Sequence, residues 1–98
     1  MVTRMQQVGS IEDLRVYVQE TFCNQYALKA EAFPMTERLL RRGGKPCGLF
    51  FCLHGPRAVK LTAIWEIEQN QVLFYNASGE RFQKTQLVDG PRLQLAAA

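Results

Sequence analysis

The rhythm of apolar residues changes once along this 98-residue chain, at about residue 45. In the first half Ile11, Leu14, Val18 and Phe22 recur at three- and four-residue intervals, with Tyr17 beside them. That is the period of one helix face. Ser10 stands where a helix cap belongs, and Asp13 follows three residues later in a capping-box-like position. Glu12 and Asp13 fall in the first turn, where carboxylates meet the positive end of the helix dipole. The pattern predicts a helix from about Ile11 to about Tyr26.

Residues 33–42 support two readings. Pro34 suits the first position of a helix and Gly43 its C-terminal end. Equally, Gly43-Gly44 suits the tight turn of a hairpin. The balance leans to the hairpin, because the Gly pair leads directly into a strand-like run.

From Cys47 onward the period is that of strands. Leu49-Phe50-Phe51-Cys52-Leu53 is continuously apolar, and Gly55-Pro56 ends it. Val59, Leu61, Ala63, Trp65 and Ile67 then share one face, while Lys60, Thr62, Glu66 and Glu68 share the other with Ile64. Gln69-Asn70 turns, Val72 to Tyr75 returns, Asn76-Ala77-Ser78-Gly79 turns again, and Arg81 to Leu87 gives a last strand. Connections this short require antiparallel neighbours. The expected class is α+β: one N-terminal amphipathic helix packed on an antiparallel β-meander of four or five strands. Residues 1–98 form a single domain, with 1–9 and 93–98 expected to fray.

One strand breaks the rule that a half-covered sheet reads apolar-in, polar-out. Leu49, Phe51 and Leu53 point to one face, and Phe50 and Cys52 to the other, joined by Ile64. A cover for this second face is expected: the 33–42 segment if helical, another subunit, or a ligand.

Composition narrows the function classes without choosing among them. Hydrophobic residues make up 47% of the chain, enough for a packed core. No apolar run approaches the roughly 18–20 residues of a membrane span. The first ten residues lack the apolar stretch of a secretory signal, so the expected location is the cytoplasm. Three cysteines are too few for a disulfide scaffold.

Candidate catalytic and metal chemistry is thin. Cys47 and Cys52 lie roughly 16 Å apart along a strand and on opposite faces, which excludes a bridge between them. Cys52 and His54 share a face, but two ligands do not make a structural zinc site. Gly43-Gly44-Lys45-Pro46 lacks both the upstream Gly and the downstream Ser or Thr of a phosphate loop. Ser78 lies in a turn, not in a nucleophile elbow. Neither a metal nor a cofactor is expected, and no catalytic set is identified.

The charge pattern is more telling. Twelve Lys and Arg face nine Asp and Glu, for a net +3. Arg38, Arg41, Arg42, Lys45, Arg57 and Lys60 are half of the basic residues, and no carboxylate occurs between Glu37 and Glu66. Arg38, Arg41, Arg42, Lys45 and Arg57 are the candidate anion-binding residues, since arginine forks suit phosphate and carboxylate. Under a meander topology they form two clusters at opposite ends of a strand. The expected function is a small non-catalytic interaction module, self-associating as a homodimer through a sheet face or an edge strand. The alternative is nucleic-acid or anionic-ligand binding through the basic 38–60 stretch. An enzyme ranks below both.

Overall fold

The computed structural model describes residues 2–29 and 32–91. It is an α+β fold: one helix packed against one six-stranded sheet. In chain order the elements are β1 (Val2–Gln7), α1 (Ile11–Tyr26), β2 (Met35–Arg42), β3 (Lys45–His54), β4 (Lys60–Glu66), β5 (Gln71–Tyr75) and β6 (Arg81–Val88). Across the sheet the order is β1-β6-β5-β4-β3-β2. Strands β2 to β6 form the antiparallel meander, and β1 adds to β6 in parallel.

The helix begins as its cap predicts, with the Asp13 amide donating to Ser10 Oγ at 3.1 Å. Residues 33–42 contribute β2, so the hairpin reading holds. Gly43 and Gly44 take φ of 59° and 79°, the pair of positive values a two-residue turn requires. One expectation is corrected: the sheet has six strands rather than four or five, because Val2–Gln7, within the segment expected to fray, pairs with β6 as β1. This segment gave no signal because all six of its residues are exposed. An edge strand held by backbone pairing has no buried face to write an alternation. The expected fraying of 93–98 lies outside the described residues.

Leu14, Val18 and Phe22 of α1 are fully buried against Leu49, Phe51, Leu53, Leu61, Ala63, Trp65, Val72 and Phe74. Phe22 meets Phe74 edge to face, with ring centroids 5.6 Å apart. The Trp65 indole donates to Asn70 Oδ1 at 3.1 Å, so its polar edge is satisfied inside the core. Arg15 spans from the helix to the sheet in a forked pair with Glu37 and also meets Glu12. Those two carboxylates, Glu37 first, raise its affinity for the proton further.

Toward β6 the core face turns polar. Thr85 is completely buried and Gln83 nearly so. Tyr17 Oη lies 2.8 Å from Thr85 Oγ1, and Gln83 Nε2 donates to both hydroxyls at 3.3 and 3.1 Å.

Candidate functional site

Register across the sheet fixes which side chains share the face opposite α1. One row runs Arg38, Phe50, Ile64, Leu73, Lys84. The next runs Thr36, Cys52, Thr62, Tyr75, Arg81, and His54 pairs with Lys60 beyond it. Among the described residues no element packs over these rows. The segment expected to cover them if helical is β2 itself, and it extends the sheet instead. The consequence shows in burial: Trp65 is 1% exposed on the helix side, while its neighbours Ile64 and Glu66 stay half-buried on the other.

The middle of this face is apolar, formed by the half-buried Phe50, Ile64 and Tyr75 with Cys52 and Leu73 buried between them. Its margins are basic. The Arg38 guanidinium carbon sits 5.5 Å from the Phe50 ring centroid, and that of Arg81 sits 5.5 Å from the Tyr75 centroid. Arg81 Nη2 also donates to Tyr75 Oη at 3.0 Å. At these distances each guanidinium is drawn to the face of its ring by cation–π attraction. Lys60 and Lys84 add two more cations. The sole carboxylate in these strands' open face is Glu66, which accepts from Gln71 Nε2 at 3.3 Å. The opposite side of the molecule carries Glu12, Asp13 and Glu20 on α1. The fold thus separates an acidic helix side from a basic sheet side.

The five residues singled out from sequence do not converge. Arg41, Arg42 and Lys45 surround the β2–β3 turn, where Arg41 Nη1 donates to Gly44 O at 3.3 Å. Arg57 sits in the short 3-10 turn after β3, about 30 Å along the strand at roughly 3.3 Å per residue. Of the five, Arg38 lies midway along β2 on the open face, paired with Phe50. Lys60, Arg81, Lys84 and Tyr75 join it there through strand pairing. The parity that put Phe50, Cys52 and Ile64 on a second face was the available signal. Following it into Lys60 and Lys84 finds the rest of the basic margin.

The cysteines form no shared centre. All three are free, and among the described residues no cluster of His, Cys, Asp and Glu could hold a metal. Cys23 and Cys52 are buried, while Cys47 is half-exposed. Burial, helped by the Glu20 charge, pushes the Cys23 thiol above its ordinary range. Thiolate is the reactive form, so native protein mixed with an aromatic disulfide reagent is expected to label rapidly at Cys47. Cys23 and Cys52 should follow only as fast as the chain unfolds. Rapid labelling of all three would mean the core opens freely. His54 Nε2 lies 3.1 Å from Thr36 Oγ1, a cross-strand contact on the open face.

Compared with known proteins, the chain matches no family model, no curated protein and no solved structure.

Proposed function

We propose that the protein is a small binding module whose open sheet face takes single-stranded nucleic acid. The observation that carries this reading is the pair of arginine–aromatic contacts, Arg38 over Phe50 and Arg81 over Tyr75, flanked by Lys60 and Lys84 on the sheet face opposite α1. Sheet-face recognition of single strands needs aromatic or planar surfaces for bases and cations for phosphates, side by side. Rows five strands wide, at about 4.8 Å per strand, offer room for two or three bases.

The same charges argue against a second copy as the occupant. Two such faces brought together would oppose Arg38, Lys60, Arg81 and Lys84 with their own equivalents, and like charges at an interface are costly. Self-association therefore ranks second, and the open edges of β1 and β2 remain its route.

The test is fluorescence anisotropy with labelled ten-nucleotide oligo(U) and oligo(dT). With about four phosphate contacts, affinity should fall roughly 50-fold between 50 and 200 mM salt. Phe50→Ala should weaken binding by about 1–3 kcal/mol through lost stacking. Combined Arg38→Glu and Lys84→Glu should weaken binding to all sequences alike. Absence of binding at low salt overturns the proposal. An equal loss on reversing Arg41 and Arg42 would move the site to the hairpin tip. Light scattering at twice the chain mass, 11.2 kDa for the monomer, would return the face to self-association.

A further inference from the structure

The molecule has a second concave surface, on the opposite side of the sheet from the open face. α1 lies over the centre of the sheet and stops short of β1, and a cleft of about 640 Å³ runs between them. That volume is within the usual range for small-molecule sites. Its walls are almost wholly hydrogen-bonding: Arg4 and Gln6 from β1, Tyr17, Asn24 and Gln25 from α1, and Gln83 beneath. Among the described residues Arg4 is the single charged group in these walls, and no carboxylate lines them.

The floor is what separates this cleft from a gap at the edge of a sheet. Gln83 is 6% exposed, beside the fully buried Thr85, on a face whose remainder is filled mainly by Val, Leu, Phe and Trp. An amide there costs free energy unless its polar atoms are used. Its Nε2 is committed to Tyr17 Oη and Thr85 Oγ1. No donor among the described residues reaches its Oε1. Among the described residues no buried side-chain polar atom lacks a partner, so this oxygen is open to the cleft, and a hydroxyl bound there can take the place of solvent on it. Tyr17 and Thr85 occupy one another and fix the amide in place, while Thr21 Oγ1 donates to the Tyr17 backbone carbonyl within α1.

Many neutral donors and acceptors suit a ligand with many hydroxyl groups, while a lone arginine suits one anionic group on it. We propose that the cleft binds an anionic sugar, with Arg4 on its acidic group and Gln83 Oε1 accepting from a hydroxyl. A carboxylate and a phosphate are both served by an arginine fork, so a sugar acid and a sugar phosphate share the required chemistry.

The test is a two-dimensional amide NMR titration of the full chain with glucuronate, glucose 6-phosphate, glucose and inorganic phosphate, each at millimolar concentration. The expected result is a shift of the Asn24, Gln25 and Gln83 signals with one or both acids, and the stronger of the two identifies the source. Glucose should bind about tenfold more weakly, the worth of one charge-assisted hydrogen bond. Arg4 is exposed on an edge strand, so Arg4→Ala should keep the fold and bring the acids down to the level of glucose. Asn24→Ala, on exposed helix surface, should weaken acids and glucose together. Silence with all four compounds, equal shifts with inorganic phosphate alone, or unchanged binding by Arg4→Ala would overturn the assignment. Because this cleft and the open face lie on opposite sides of the sheet, failure of either leaves the other standing.

Discussion

Trp65→Ala is expected to cost roughly 3–5 kcal/mol, the range for removing a large buried ring. The ring is 1% exposed and sits at the centre of the sheet, paired with Leu49 on β3 and Val72 on β5. Its loss leaves a cavity between the sheet and α1, and the paired strands beneath it cannot move in to fill it without breaking their pairing. A second loss adds to this. Asn70 holds a left-handed turn at φ 49° while accepting from the indole and donating from Nδ2 to Leu87 O at 3.4 Å. Without the indole, Asn70 Oδ1 loses its donor near the turn that joins β4 to β5. The total is a large fraction of the 5–15 kcal/mol typical of a whole domain. Urea unfolding followed by far-ultraviolet circular dichroism measures it without needing the tryptophan signal. In the native protein the single tryptophan should emit at short wavelength and move red on unfolding. A loss under about 1 kcal/mol would place the ring outside the core.

A methyl group at position 48 should be worse tolerated than its size suggests. Gly48 is buried on β3 opposite Glu66, and a Cβ built there collides with the backbone carbonyl oxygen of Trp65. A flexible side chain could swing aside, but a strand carbonyl moves only if β3 and β4 separate. The irregularity between Leu40 and Arg41 lies beside it on β2, so the neighbouring strand on that side is already out of regular register. Gly48→Ala is therefore expected to cost about 3 kcal/mol or more, at the upper end of overpacking effects. Gly79→Ala is the matched control. Its φ is 81° with nothing within 4 Å, so only the left-handed conformation is penalised, by about 1–2 kcal/mol. Equal losses at the two positions in parallel denaturant titrations would show that the strands do yield at Gly48.

The difference between these two glycines also marks what was legible in the sequence. Gly43-Gly44 and the Gly79 turn could be read, because turn chemistry is local. Gly48 lies inside an apolar run, and its role depends on a strand that follows nearly twenty residues later. The helix from Ile11 to Tyr26 and the Trp65 face were legible for the same local reason: their periods are written in consecutive residues. β1 was not, since exposed polar residues write no period at all. The candidate site divides likewise. The second apolar face followed from the parity of Phe50, Cys52 and Ile64. The arginines of the 38–60 stretch divide between the two ends of β3, with Arg41 at one and Arg57 at the other. The residues that do gather, Arg38, Lys60, Arg81 and Lys84, come from three strands, and only pairing brings them together.

The parallel pairing of β1 with β6 has a consequence for synthesis. Val2 lies opposite Gln83, about 80 residues later in the chain, so this contact has nearly the greatest loop length the molecule allows. At about 5–20 residues per second, the first strand leaves the ribosome roughly 4–16 seconds before its partner is made. Throughout that wait its backbone is an unpaired edge, able to capture any other strand it meets. Thr3, Arg4, Gln6 and Gln7 give such a stranger little apolar surface to grip. The polarity that hid β1 from a reading of hydrophobic rhythm is thus what lets the earliest strand remain solvated until the last one arrives.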